Sequence, residues 1–291
     1  MKNPKLKFPP GSEWLYIRIY GGPQALEAWL MNSFRERLSE WRFSGMVKQF
    51  HFIHFLDPEY HLRLRFLLSE PDEAGILLHQ IQSSCKELLV EDLIWKIEVG
   101  TYEPEYERYG FDRLAIVESW FEIDSLYWLE EISCLSRESD ADIWKSAVRS
   151  IDALLNDFGV KIDDKIKIIN GLKEFTADLF SLNRSMKGQL DEKYRKMSGL
   201  LKSVMDSGTE GMSVYLLKRS EEAVEIVKQL RATFIDDQQF FESKVIPDLI
   251  HISLNRGFRT RHRLQELVVY DFMGRHYESA RARSKNVKRE A

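Results

Sequence analysis

The first hundred residues switch between the two hydrophobic periods of regular structure. From Trp14 to Tyr20 side chains alternate, with Leu15, Ile17 and Ile19 on one side and Trp14, Tyr16, Arg18 and Tyr20 on the other. A period of two predicts a strand. Gly21-Gly22-Pro23 ends it, and Pro23 stands where it can open a helix running to about Arg42. Val47 to Phe55 is apolar on both faces, which predicts a second, central strand. Asp57-Pro58-Glu59 is turn chemistry, and His61 to Phe66 forms a third strand that closes a hairpin. Pro71-Asp72-Glu73 starts a helix through about Leu89, and Leu93 to Thr101 is a fourth strand. The order β-α-β-β-α-β is the split βαβ, or ferredoxin-like, arrangement. Its two helices share one face of the sheet and its first and third strands are neighbours, so the other face is free to meet something else.

Beyond Tyr109-Gly110 the period lengthens to that of helices. Ile151, Leu154, Leu155 and Phe158 form an apolar stripe, repeated by Ala223, Val227, Leu230 and Phe234 and by Leu264, Leu267, Val268 and Phe272. Breaks are expected near Gly159, at Lys187-Gly188 and at Ser207-Gly208-Thr209-Glu210-Gly211. No repeat of solenoid length is evident. The fold class is therefore α+β: a ferredoxin-like sheet unit, residues 1–102, packed on a larger helical part, residues 103–291, the two forming one domain.

Composition narrows the function classes. With 44% apolar and 30% charged residues the chain is a folded protein, and 17 Phe, 11 Tyr and 7 Trp point to thick packing layers or a ring-lined groove. A net charge of −4 argues against direct nucleic-acid binding by the whole chain. From Arg256 onward ten Lys/Arg face four Asp/Glu, read as a solvated, partly frayed tail, with a contact for an acidic partner as the alternative. Cys85 and Cys134 have no CxxC spacing, so neither a disulfide scaffold nor a zinc knuckle is expected. No signal peptide opens the chain and no stretch approaches the ~20 apolar residues of a membrane span. A cytoplasmic location, without membrane insertion, is the expectation.

Three segments carry candidate chemistry. In His61-Leu62-Arg63-Leu64-Arg65-Phe66 the alternation puts His61, Arg63 and Arg65 on one face, joined by Arg18 and Tyr16 from the first strand. Adjacent guanidiniums repel unless an anion or carboxylates lie between them. The arrangement is thus either an open, solvated sheet face or a half-buried receptor for a carboxylate or an enolate oxygen. Tyr102-Glu103-Pro104-Glu105-Tyr106-Glu107-Arg108-Tyr109-Gly110 offers carboxylates, an arginine and phenols where the two parts of the chain join. In Asp248-Leu249-Ile250-His251-Ile252-Ser253-Leu254-Asn255-Arg256, His251 and Asn255 share a helix face. A histidine there is either a hydrogen-bonded core residue or a proton carrier. His51 and His54 point to opposite faces of a strand, so no metal pair is expected. No phosphate loop, GxGxxG or GxSxG occurs.

Taken together, HFLDPEYHLRLRF, YEPEYERYG with FEIDS, and LIHISLNR with YDFMGRHYES resemble, in order, the C-terminal elimination domain of class I lanthipeptide dehydratases, a family that includes stand-alone thiopeptide biosynthesis proteins. The resemblance runs from about Trp14 to Ser279. It implies a lyase that removes glutamate from glutamylated Ser or Thr of a precursor peptide, leaving dehydroalanine or dehydrobutyrine. It also implies a separate tRNA-dependent glutamylating subunit, since this sequence has no room for one, and no cofactor or metal. The family's eliminating residues fall on Arg63, Arg65, Glu105, Arg108 and His251, with Tyr16, Arg18, Tyr109 and Asn255 as substrate contacts. Phe111 departs from a second Gly often found after the RYG, which puts the local turn in question. Ser253 stands where another His is frequent, which leaves His251 as the expected single ring. Two alternatives stay open: a pyridine-forming cyclase acting on a dehydrated peptide, and a non-catalytic scaffold that binds the leader. The oligomeric state, a homodimer included, is also open.

Overall fold

The computed structural model describes residues 7–135 and 143–290, with side chains up to residue 285. Four strands form one antiparallel sheet: β1 (Trp14–Gly21), β2 (Val47–Leu56), β3 (Tyr60–Leu68) and β4 (Ile94–Gly100), in the order β2-β3-β1-β4. That is the ferredoxin-like order. Between β1 and β2 run α1 (Pro23–Trp29) and α2 (Arg35–Phe43), one rod widened by a π turn at Leu30–Phe34. Pro23 opens it as expected, and Leu30, Met31 and Phe34 of the π turn are buried. Between β3 and β4 lie α3 (Ala74–Ser84) and α4 (Lys86–Val90), where the sequence suggested a single helix; the break falls at buried Cys85, whose thiol burial pushes up to about 12. The Glu73 carboxylate closes the start of this helical segment by accepting from the Glu70 N–H at 3.1 Å.

The remaining elements are helical: α5 (Tyr106–Tyr109), α6 (Phe111–Cys134), α7 (Ile143–Asp157), α8 (Ile162–Leu179), α9 (Arg184–Asp206), α10 (Val214–Thr233), α11 (Gln238–Phe240), α12 (Ile246–Gly257) and α13 (His262–Glu290). The chain divides into two compact units. The first holds residues 1–134 and 228–233, the second 135–227 and 234–291.

In the first unit, Leu15, Ile17 and Ile19 meet Leu62, Leu64 and Phe66 beneath the helices, all essentially inaccessible to solvent. Gly21 is required at the end of β1, because a Cβ there would lie 2.7 Å from the Leu93 carbonyl oxygen. β2 corrects an expectation. It is an edge strand, not a central one, and it is apolar on both faces because α6 packs on it. The backbone N–H of Phe52 donates to Ser125 Oγ of α6 at 3.2 Å, so a polar group of the strand finds a helix partner.

The stripe through Ile151, Leu154, Leu155 and Phe158 of the second unit and the α10 stripe through Ala223, Val227 and Leu230, with Phe234 after it, are buried as expected. In α13 Leu267 and Phe272 are buried as expected, but Leu264 is exposed and Val268 only half-buried, while Val269, Tyr270 and Met273 also face inward. Lys187-Gly188 does not break the chain, since α9 passes straight through it. The break lies earlier, where Ser181 has φ +47° and the Asn183 side chain caps α9 by accepting from the Met186 N–H. The basic C-terminal stretch is no frayed tail either. Most of it is α13, which packs along α8, with Arg275 paired to Asp191 and Asp271 and Arg281 to Asp163.

Candidate active site

Alternation on β3 delivers Arg63 and Arg65 to the sheet face away from α1–α4, half-buried. Antiparallel pairing sets Arg63 directly opposite Arg18 on β1, and Tyr16 opposite Arg65. Like charges opposed across two strands are destabilising. One of them is compensated: Glu98 on β4 is the partner of Arg18 in register and lies 3.3 Å from its guanidinium. Lys96 above all, then Tyr20 and Arg18, hold Glu98 below the usual carboxylate range.

Arg63 and Arg65 receive no such compensation, for no ion pair reaches either of them among the described residues. Their seats are neutral. Arg63 stacks on the Phe55 ring, 3.3 Å from its centroid, and its Nε donates to His61 Nε2 at 3.1 Å. The other His61 nitrogen, Nδ1, donates to the Glu59 carbonyl at 2.8 Å, which fixes the tautomer that Arg63 needs. Burial foremost, and then the charges of Arg63 and Arg18, push the His61 pKa down, so the ring adds no charge near neutral pH. Burial likewise lowers Arg63, with Arg65 and Arg18 adding to the effect. Arg65 lies over the rings of Tyr16 and Tyr102, 5.3 and 5.5 Å from their centroids, and its Nε is buried without a hydrogen-bond partner. Two desolvated cations on aromatic and neutral supports make a receptor for an anion.

The same unit holds the segment after β4. Glu105 and Arg108 bind each other at 2.9 Å on a well-exposed surface. Tyr109 is interior, its ring edge against Phe121. Gly110 follows with φ +84° and ψ 154°, a backbone region open in practice only to glycine, and α6 begins at the next residue. A single glycine thus makes this turn, and Phe111 instead stacks on Tyr106 with ring centroids 4.5 Å apart. Gly110→Ala is expected to cost about 1–3 kcal/mol through strain alone, visible as a lowered thermal midpoint; an unchanged midpoint would contradict it.

His251 and Asn255 belong to the second unit, on α12. His251 Nδ1 lies 2.9 Å from Glu266 Oε1, and Glu266, on α13, is wholly buried. In the tautomer whose Nδ1 donates to this carboxylate, Nε2 is left for chemistry. The Arg263 guanidinium donates to the carboxylate at 3.2 Å and lies alongside His251 Nδ1, and the Tyr270 hydroxyl is 3.5 Å from Glu266. Nor is His251 the only ring here. His262 is near enough for the two to repel as cations, and burial foremost lowers the His262 pKa. Glu266, Arg263 and His262 were absent from the sequence-based candidates; an acid inside the apolar run Leu264–Phe272 was the available signal. Ser253, in place of a second histidine, is buried with its hydroxyl 3.5 Å from that of Ser150.

Among the described residues no group of three His, Cys, Asp or Glu is placed to hold a metal, and no helix is long and apolar enough to cross a membrane. Three solved structures share the fold. The tRNA-dependent lantibiotic dehydratase MibB from Microbispora sp. 107891 superposes with a TM-score of 0.69 at 21% identity, over 94% of this chain and 29% of its own. TsrL superposes at 0.65 and 12% identity, covering 92% of this chain and 95% of TsrL. TbtD, the pyridine synthase from thiomuracin biosynthesis, does so at 0.60 and 12% identity, covering 90% and 97%. The chain therefore spans less than a third of MibB but nearly all of the other two. No curated protein matches it in sequence. The model of the lantibiotic biosynthesis dehydratase C-terminal family matches residues 14–277, and the chain belongs to that family.

Proposed function

We propose that this chain is the glutamate eliminase of a split class I dehydratase, acting on a precursor peptide whose Ser or Thr side chains a separate tRNA-dependent partner has glutamylated. One observation carries the reading: Arg63 and Arg65 stand half-buried, side by side on neutral seats, with no ion pair among the described residues. In the elimination the Cα proton passes to a base, the Cβ–O bond breaks, and glutamate leaves as a carboxylate with that electron pair. Negative charge grows on the peptide carbonyl oxygen and on the leaving group, and a fixed guanidinium favours each. Arg63 and Arg65 are assigned to these two charges, with Tyr16, Arg18 and Asn255 as proposed peptide contacts; Tyr109, expected among them, is interior and supports Phe121 instead. His251, held by Glu266, transfers the proton. Glu105 orients Arg108, to which it is ion-paired.

A second reading has its own support. TbtD and this chain match over nearly their full lengths, which suits a pyridine-forming cyclase acting on a dehydrated peptide. One assay separates the readings. The purified chain is incubated with a peptide carrying a glutamylated Ser, without tRNA or ATP, and its mass is followed. Loss of glutamic acid with gain of an alkene is expected. An ester that survives unchanged overturns the eliminase. Ring closure with a dehydrated peptide instead would establish the cyclase, and inertness toward both substrates would leave a leader-binding scaffold.

A further inference from the structure

Glu118, on the first half of α6, is a buried carboxyl that the chemistry above does not use. Tyr102, just past β4, donates its hydroxyl to Glu118 Oε1 at 2.5 Å. The ring of that same tyrosine lies under the Arg65 guanidinium. Phe8 and Trp14 pack around Tyr102 and keep water from the array. All of these residues belong to the first unit. A cation, a ring, a hydroxyl and a carboxyl thus form a chain of contacts, and the charges at its ends sense each other without a direct salt bridge.

Few other charged or titratable groups face Glu118. Tyr106 on α5 senses its charge, and Glu105 reaches Tyr102. His51 on β2 sets its ring against Tyr102 and Phe121. Arg65 is the cation acting on Glu118.

The two protonation states of Glu118 leave different charges at Arg65. An ionised carboxylate offsets the guanidinium, whereas a neutral carboxylic acid leaves it whole. Tyr102 can hydrogen-bond to either form, so the geometry survives the change. An incoming anion and an ionised Glu118 compete for the same positive charge.

We propose that Glu118, acting through Tyr102, is a positioning residue that makes anion binding at Arg65 take up a proton. The inference rests on the elimination reading only for the identity of the anion, the departing glutamate. Burial raises the Glu118 carboxyl to about 7, against the lowering effects of Tyr102 and Arg65. The sign follows: below that pH Glu118 is neutral and Arg65 attracts anions fully, and above it the attraction weakens. A bound anion favours the neutral acid, so affinity falls as pH rises through neutrality and binding consumes protons there.

The test is isothermal titration of L-glutamate into the full chain between pH 6 and 8.5, in buffers of unlike ionisation heat. Each unit by which the anion raises the Glu118 pKa is a factor of ten in linked affinity, so about tenfold weaker binding at pH 8.5 is expected, with net proton uptake near pH 7–8. Glu118→Gln should bind at pH 8.5 as the native chain does at pH 6, without the proton. Tyr102→Phe removes a hydrogen bond that lowers Glu118 and should move the midpoint to higher pH. A flat affinity profile, the same profile in Glu118→Gln, or no glutamate binding at pH 6 overturns the inference. The mass assay run in parallel keeps the two ideas apart. Elimination with flat glutamate binding sinks the Glu118 role alone; proton-linked binding without elimination sinks the catalytic reading alone.

Discussion

Arg65→Ala is expected to slow elimination about 10²–10³-fold, the usual cost of removing one donor aimed at developing charge, while glutamylated peptide accumulates. The expectation comes from the seat of Arg65. Its guanidinium is held over two phenol rings by contacts that bring no compensating negative charge. It therefore offers its charge in a fixed place, whole when Glu118 is neutral, and alanine abolishes both. Arg65→Lys should recover little, since an ammonium lacks the planar fork and is more strongly hydrated. The measurement is a single-turnover time course by mass spectrometry at saturating peptide. A native rate in Arg65→Ala would remove the anion receptor from the mechanism.

The second large effect is expected at His251. Positioned proton transfer contributes about 10²–10⁴-fold, and His251→Ala should lose that factor. Glu266→Gln should fall between this variant and the native chain, because the amide keeps the shape but no longer demands a proton on Nδ1. The double variant Arg65→Ala/His251→Ala is the sharper measurement. Groups that serve one transition state are strongly non-additive, so the pair should be little worse than the more damaging single change. Fully multiplicative losses would mean that the two residues serve separate steps.

The sheet was largely legible in the sequence. Period-two alternation depends on the strand alone, so the faces of β1 and β3 follow from Leu15-Ile17-Ile19 and Leu62-Leu64-Phe66 whatever packs on them. The neighbourhood of Arg18 and Arg63 followed from the strand order of the arrangement. The position of β2 did not, because an edge strand covered by a helix reads like a central one; periodicity reports burial and not its cause. Gly188 misled for a related reason. A glycine inside a helix costs about 1 kcal/mol relative to alanine, which the 23 residues of α9 absorb. The least visible residues were Glu118 and Glu266. Each is an acid within an apolar run, Ala115–Phe121 and Leu264–Phe272, where charge normally marks the solvent side of a helix. Their partners, Tyr102 and His251, lie 16 and 15 positions away. Spacing along one helix could not have paired them.

The row of residues that crosses β3, β1 and β4 as Arg63, Arg18 and Glu98 has a consequence for the resting protein. Folding itself brings two like charges face to face and supplies a counter-charge for one of them. The penalty of aligning them is incurred when the chain folds, before any ligand arrives, so an arriving anion meets donors already in place. A row of like charges is a load on the native state, and an anion that binds there shifts the folding equilibrium by mass action. The same register that costs the fold stability is what would preorganise the proposed site for an anion.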